Sequence, residues 1–407
     1  MSPLAPKAWL VVALLWPVAL LNYLDRQLIS TMKHSIMGDI PSIATEENFG
    51  RIMGVFLLVY AALSPIGGYI ADRFNRRWTV IGSLGVWSFV TFLTGSVRSF
   101  DQMMWVRAAM GVSEACYIPA ALALIADFHT GPTRSRAVGI HQTGIYAGMA
   151  LGGFGGYIAE TSSWRNGFYG FGFAGVIYAA LLIFVLPRQP AASSRAAGAV
   201  RVLPALKSLL GIGSFLLLIL YFTLPAMSGW VMKNWLPSVL ADAFHLGQGS
   251  AGLSAALYIT LASVGGTLLG GVVADLWMQR TERGRIYTSA VGMVMLVPAL
   301  IGAGYAQTLP VAVGFLIVYG IGWGFFDTNN MPILCQVVRP ELRATGYGLM
   351  NMVSTGMGAW VTLRMGVLRD RGTPLPVVFG FLAAAAAVSV ALVLSIRVKP
   401  SESRASA

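Results

Sequence analysis

The sequence predicts an all-α integral membrane protein with twelve transmembrane helices in two six-helix, pseudo-symmetric halves. Composition, the spacing of apolar runs and an internal repeat each point to it. Of 407 residues, 56% are hydrophobic and 11% charged. A soluble domain carries about 25% charged residues, so this stock cannot cover a water-exposed surface. The 47 glycines are scattered through the apolar runs, where small residues let helix backbones approach closely in lipid.

Crossing the hydrocarbon core takes about 20 mainly apolar residues. Runs of that kind centre on 8–32, 50–71, 78–97, 102–127, 136–158 and 166–187, then on 212–240, 250–275, 286–306, 311–334, 342–367 and 376–396. The first lacks a small-residue cleavage site and continues into Asn22-Tyr23-Leu24-Asp25-Arg26, so it reads as a retained span and not as a signal peptide. Between the sixth and seventh runs, Arg188 to Lys207 breaks the pattern with Gln-Pro-Ala-Ala-Ser-Ser and four basic residues. The expected organisation is an N-terminal bundle at 1–187, a cytoplasmic linker at 188–211, a C-terminal bundle at 212–398 and a tail at 399–407.

The net charge of +12 does not point to nucleic acid, because the basic residues form short clusters between apolar runs. Eighteen Lys and Arg fall on the N-terminus, alternate loops and the tail, from Lys7 through Arg73, Arg76 and Arg77 to Arg404. About six fall on the other side: Lys33, Arg51, Arg98, Arg165, Arg369 and Arg371. That excess places both termini in the cytoplasm of a cell (inner) membrane. Cys116 and Cys335 lie inside apolar runs, so no disulfide framework is implied.

The repeat divides the chain at the same place as the linker. Gly68-Tyr-Ile-Ala-Asp72 recurs as Gly271-Val-Val-Ala-Asp275, and Arg136-Ala-Val-Gly139 recurs as Arg343-Ala-Thr-Gly346. Both shifts are close to half the chain length, as parallel halves with even numbers of spans require.

Gly68-Tyr-Ile-Ala-Asp72-Arg73-Phe-Asn-Arg76-Arg77 resembles the signature loop of the major facilitator superfamily, with Asn75 in place of its second glycine. The resemblance implies the major facilitator fold, secondary transport, and a latch at the cytoplasmic face. Its gating residues would be Gly68, Asp72, Arg73 and Arg77, with Gly271 and Asp275 in the second half. Asn22-Tyr23-Leu24-Asp25-Arg26 and the pattern Arg107-(x6)-Glu114-Ala-(x)-Tyr117-(x)-Pro119 narrow the match. They are similar to the anion:cation symporter branch, which carries sugar acids, and to the related spinster-like lysolipid and sphingolipid transporters. Gly144-(x3)-Gly148-(x3)-Gly152 in the fifth span is small-residue packing, and Trp164-Arg165 an interfacial anchor.

A charge near the middle of a span costs about 2.5–3.5 kcal/mol on insertion scales, so it needs a partner and faces a cavity. Asp25 and Arg26 occupy the first span, Arg107 and Glu114 the fourth. Seven residues separate the latter two, close to two helical turns, so they share a face. In the superfamily arrangement those spans line the central cavity. Asp25 is expected to pair with Arg107, while Arg26 and Glu114 lie nearer the substrate. An anionic substrate drawing an arginine away would free a carboxylate to bind a proton. Glu114 is the first candidate for coupling, by resemblance as well, with Asp25 and Arg107 beside it. A permanent ion-pair network that only fixes helix packing is the alternative.

In the second half, Lys233, Trp235, Asp327, Asn329 and Asn330 could hydrogen-bond and stack a polyhydroxylated anion, although Trp and Lys near a span end also serve as interfacial anchors. Tyr23, Tyr60 and Gln142 are further candidate lining. The expected reading is proton-coupled symport of a small organic anion such as a sugar acid, by a monomer in contact with membrane lipid. A spinster-like lysolipid carrier is the alternative. The proton is the coupling ion and no other cofactor or metal is expected. An enzyme would need a catalytic constellation, yet His34, His129, His141 and His245 are dispersed. Gly320-Ile-Gly322-Trp-Gly324 is too short and apolar for a phosphate loop.

Overall fold

The structure is a computed structural model that describes residues 5–129, 133–188, 202–339 and 342–397. Sixteen α-helices are described. The first nine are α1 (Ala5–Thr31), α2 (Lys33–Asp39), α3 (Glu46–Arg73), α4 (Arg76–Thr94), α5 (Phe100–Glu114), α6 (Tyr117–Phe128), α7 (Arg134–Gly152), α8 (Gly155–Thr161) and α9 (Trp164–Val185). Then follow α10 (Val202–Leu210), α11 (Gly213–Phe244), α12 (Gln248–Met278), α13 (Gly284–Tyr305), α14 (Leu309–Val337), α15 (Arg343–Asp370) and α16 (Leu375–Ser395). Taking α5 with α6 and α7 with α8, and setting aside the short α2 and α10, the rods correspond to the twelve expected spans. Nine are long and apolar enough to cross a membrane by length and composition. The other three are α4, α7 with α8, and α15, whose polar positions, such as His141, Gln142, Asn351 and Arg364, dilute the apolar run.

Two of the expected spans are broken, each for a local reason. Pro119 has no N–H for the carbonyl of Ala115, and its ring crowds that carbonyl. The helix therefore parts at Ala115 and Cys116, separating α5 from α6 directly after Glu114. The α7–α8 break falls at Gly153 and Phe154, where the amide of Gly153 turns back to Ala150 O at 3.1 Å. The last third of the segment expected as the linker forms α10. Pro204 sits in that helix's first turn, where a missing N–H costs nothing.

The residues cluster into two compact units. Unit 1 comprises Met1–Ala199 with Met232–Ala256 and Ala359–Asp370, so the end of α11, the start of α12 and the end of α15 pack with the N-terminal helices. Unit 2 holds Val200–Val231, Leu257–Gly358 and Arg371–Ala407. In unit 1, α7 lies close along α1 through the expected glycine series. A Cβ on Gly144 would come within 2.7 Å of Trp16 O, and one on Gly152 would collide with Gln27. In unit 2, Gly292 and Gly322 bring α13 and α14 together, each facing the other's carbonyl.

The internal repeat is visible in how arginines close helix ends. Arg77, at the start of α4, donates from Nε to Leu186 O at 2.8 Å and also to Ile183 O, at the end of α9. Arg283, just before α13, donates to Leu394 O at the end of α16. A guanidinium there satisfies carbonyls that have no intrahelical partner and complements the helix dipole. Arg134 donates to the carbonyls five and eight residues back, His129 O at 3.2 Å and Ala126 O at 3.4 Å. Arg343 does the same, to Val338 O at 3.2 Å and Cys335 O at 2.9 Å. The structural counterpart of Arg343 is therefore Arg134, not the Arg136 that the sequence alignment of the repeat suggests.

Candidate functional site

The four ionisable residues expected in the first and fourth spans converge in unit 1. Gly111 makes this possible. A Cβ there would lie 2.8 Å from Phe56 O and 3.2 Å from Tyr60 N, so only glycine lets α3 approach α5 and bring Phe56 and Tyr60 beside Arg107 and Glu114. Arg26 Nε donates to Glu114 Oε2 at 2.5 Å. Its guanidinium carbon lies 4.8, 5.2 and 4.7 Å from the ring centroids of Tyr23, Phe56 and Tyr60. Arg107 approaches Phe56 at 4.5 Å, so that ring serves two cations. Such contacts strengthen when desolvated.

Burial separates the roles. Glu114 is fully buried, and Asp25 and Arg107 are nearly so, whereas the Arg26 side chain is 12% exposed. Of the four, Arg26 is the one solvent can reach. Asn22, one turn before Arg26, is fully buried, and neither of its amide atoms has a hydrogen-bond partner among the described residues. The expected Asp25–Arg107 ion pair does not form. Asp25 Oδ2 accepts from Thr91 Oγ1 at 3.1 Å, and Arg107 Nη1 donates to Met110 Sδ at 3.2 Å. Helical spacing gives the shared face of Arg107 and Glu114 correctly, but it does not give rotamers. Asp25 Oδ1, Arg26 Nη2, Arg107 Nε and Glu114 Oε1 are buried with no hydrogen-bond partner among the described residues. Two acids and two bases thus sit together with bonding capacity in reserve. Phe56, Thr91, Met110 and Asn22 are the members that sequence reasoning missed.

The other expected residues lie elsewhere. Trp235 is fully buried and donates from Nε1 to Thr362 O at 3.1 Å. In unit 2, Asn329 Nδ2 donates to Phe325 O at 2.9 Å, and Asn330 Oδ1 lies 3.1 Å from the Tyr221 hydroxyl. Asp327 and Gln142 are exposed, Lys233 is half-buried, and the Lys233 carbonyl accepts from Gln27 Nε2 at 3.3 Å. Among the gating candidates, Arg77 closes the end of α9 as described, and Asn75 caps α4 by accepting from Arg77 N at 3.1 Å. That cap explains the departure from glycine at this position. Asp275 is exposed and Gly271 is not tightly packed. The side chains of Gly68, Asp72 and Arg73 lie outside the described residues.

A second charged cluster occupies the end of unit 1 where α1 finishes and α3 begins, called here the distal end. Lys33 Nζ donates to Glu46 Oε1 at 2.5 Å, and Arg369 reaches Glu46 Oε2 at 3.3 Å and pairs with Asp242. His34 Nε2 lies 2.9 Å from Asp242 Oδ1. Lys33 and Arg369 lie 5.4 and 5.8 Å from the Trp235 ring. Burial pulls the Lys33 ammonium below its usual range, and the Glu46 charge opposes that shift. Asp370, the last residue of α15, accepts from Glu46 N at 3.0 Å and Glu47 N at 2.7 Å. It thereby caps α3 from outside that helix, where negative charge is favoured.

Helix ends at matched positions of the repeat are closed by arginines, and buried carboxylates and guanidiniums lie together within unit 1. The sequence pattern of the Major Facilitator Superfamily matches residues 15–362. The chain belongs to the Major Facilitator Superfamily. It is a multi-pass membrane protein and a secondary transporter. An MFS-type efflux pump of Mycolicibacterium smegmatis is 28% identical over 375 residues, covering 89% of this transporter and 85% of the pump. Protein spinster of Drosophila melanogaster is 24% identical over 424 residues, covering 99% and 65% of the two chains. Human Protein spinster homolog 1 is 28% identical over 403 residues, covering 90% and 74%. Among solved structures, a bacterial homolog of the human lysosomal transporter spinster, inward-facing and unoccupied, superposes with a TM-score of 0.75. Its identity is 19%, with 97% and 95% coverage. A D-xylose–proton symporter gives a TM-score of 0.78 at 15% identity, with 95% and 97% coverage. At these identities the structural likeness speaks to fold alone.

Proposed function

We propose that this transporter is a proton-coupled symporter of an amphipathic organic anion, with lysophospholipids as the best-fitting class. The observation that carries the reading is the Arg26–Glu114 pair, in which the cation is open to solvent and the carboxylate is not. An incoming anionic group takes the planar guanidinium fork of Arg26 away from Glu114. A buried carboxylate stripped of its cation is costly, by about 3–5 kcal/mol for broken buried pairs. Proton uptake on Glu114 removes that cost, so anion and proton bind together. Asp25, which accepts from Thr91, is the second carboxylate of the relay, and the Arg107 charge lies close to both acids.

The rings of Tyr23, Phe56 and Tyr60 around Arg26 offer an apolar body contact beside the charge. A sugar acid needs partners for its hydroxyls, and Trp235 Nε1, Asn329 Nδ2 and Asn330 Oδ1 bond to protein groups instead, while Asn330 Nδ2 is left open among the described residues. The similarity to spinster proteins supports the same choice. The basic-residue excess supports an orientation with both termini cytoplasmic and the distal cluster on the outer side. The bundles at 1–187 and 212–398 act as the two halves of the carrier. Gly68, Asp72, Arg73 and Arg77, with Gly271 and Asp275, gate the cytoplasmic face.

The test is uptake into proteoliposomes under an inward proton gradient, with a panel of lysophospholipids, hexuronates and aldonates. Lysophospholipid accumulation with proton co-influx, abolished by Arg26→Ala in a folded protein, is expected. Transport of hexuronates with no response to any lysophospholipid would return the reading to a sugar acid. Proton efflux during substrate uptake would replace symport with antiport.

A further inference from the structure

A polar cavity lies at the distal end of unit 1, and it shares no lining residue with the relay. It encloses about 410 Å³ and is lined by Asp39, Ser96, Arg98, Arg165 and Tyr169, where α2 and α4 end and α9 begins. Much of this lining is committed to the fold. Arg165 Nη1 donates to Gly95 O at 2.9 Å and Val97 O at 2.6 Å, while its Nε and Nη2 donate to Asp39 Oδ2 at 3.1 and 2.7 Å. The Ser96 and Tyr169 hydroxyls bond each other at 3.1 Å.

One guanidinium and one carboxylate oxygen are left over. Arg98 is anchored through its backbone amide to Gln102 Oε1 at 2.8 Å, and its exposed guanidinium has no partner among the described residues. Asp39 commits Oδ2 to Arg165 and to Trp164 Nε1, the latter at 3.1 Å, and keeps Oδ1 open on a side chain that is 47% exposed. The cavity therefore presents one unspent guanidinium and one unspent carboxylate oxygen. Below it, α4 and α9 pack tightly, with Gly172 against the Phe92 backbone and Gly175 against Ser88. Phe89 with Leu93 on α4, and Phe173 with Ile177 on α9, form exposed apolar i, i+4 stripes.

We propose that this cavity binds the headgroup of a phosphatidylethanolamine from the distal leaflet. The lipid phosphate accepts the forked N–H groups of Arg98. The primary ammonium donates to Asp39 Oδ1, and the acyl chains run along the apolar stripes. A trimethylated ammonium has no N–H to donate, and an uncharged glycerol headgroup brings no cation to Asp39 Oδ1. The lipid phosphate thus faces the unpaired cation and the ammonium faces the open carboxylate oxygen.

Native mass spectrometry of the delipidated, full-length protein tests this. The titrants are phosphatidylethanolamine, phosphatidylglycerol and phosphatidylcholine with the same chains, and soluble glycerophosphoethanolamine. Phosphatidylethanolamine should bind first. Arg98→Gln should weaken that binding about tenfold, the worth of one charge-assisted contact. Arg51→Gln, which removes an exposed arginine paired with Glu47, should leave binding unchanged. Arg98→Lys, which keeps the charge and loses the fork, should fall between and keeps the test informative if the glutamine variant folds poorly. Equal binding by wild type and Arg98→Gln would overturn the site, as would phosphatidylglycerol or phosphatidylcholine binding as tightly. Soluble glycerophosphoethanolamine matching the lipid would overturn the membrane source.

Discussion

Arg26 meets three aromatic rings and one carboxylate, and each contact fails differently on substitution. Arg26→Lys keeps the charge but loses the planar fork and the stacking on the rings. Substrate KM should rise about tenfold while the thermal midpoint holds, read from initial uptake rates and an unfolding curve. Glu114→Gln fixes a neutral partner in place of the carboxylate. It should lose proton-driven accumulation yet retain counterflow of labelled substrate, and uphill uptake with normal proton influx would remove Glu114 from the relay. Asp25, Arg26, Arg107 and Glu114 were legible in the sequence because charges inside apolar runs are costly and therefore meaningful. Phe56 and Met110 carried no such signal, since a phenylalanine or methionine in an apolar span looks like every other lipid or core contact. The Asp25–Arg107 pairing was misread for a related reason. Periodicity fixes which face a side chain takes, but Thr91 and Met110 compete for the same atoms in three dimensions.

At the scale of the helix, the Glu114 carboxylate sits on the last residue before a break. Pro119 disrupts hydrogen bonding at Ala115, so Glu114 ends α5 and the chain restarts at Tyr117. On the facing side, Gly67 packs against the Ala115 carbonyl, which holds α3 against the break. Gly111→Leu should push α3 off α5, because its Cβ would already crowd Phe56 O at 2.8 Å. Overpacking of this kind costs about 1–3 kcal/mol. A lower thermal midpoint with loss of uptake is expected, and a variant with wild-type stability and transport would show that the two helices need not touch there. Pro119 was visible in the sequence as part of a motif, but its effect on Glu114 was not, since a proline in an apolar run can bend, break or merely begin a helix. The arginines that close helix ends were hidden similarly, because Arg134 and Arg136 are two residues apart and only hydrogen bonding tells them apart.

At the scale of the molecule, the twelve rods and the division into repeated halves could be read from hydropathy and glycine-rich motifs. The distal cluster could not. Its members come from positions as far apart as 33 and 370, and a loop-charge count treats Lys33, Arg369 and Arg371 as topological residue. The contacts are nonetheless specific, with Asp370 capping α3 and Arg369 bridging Glu46 and Asp242. Asp370→Asn combined with Arg369→Gln should loosen this end. Spin labels at Gly38 and His245, both exposed in unit 1, should then report longer distances. Unchanged distributions would reduce the cluster to a solvated charge network. The proposed orientation has its own check in a background with Cys116 and Cys335 replaced by serine. Gln307→Cys should react with an impermeant thiol reagent on intact cells and Lys207→Cys should not.

The charge balance of the proposed relay would also decide what energy source the carrier can use. Asp25 and Glu114 offset Arg26 and Arg107, so the empty site is formally neutral when all four are ionised. One proton loaded with one monoanionic substrate leaves it neutral again. Neither the loaded nor the empty form would then move net charge across the bilayer, and a membrane voltage, worth about 2.3 kcal/mol per elementary charge per 100 mV, would do no work on the cycle. A zwitterionic headgroup carried with the same proton would move one positive charge per turnover. The electrical current on a supported membrane therefore reads the net charge of the cargo directly.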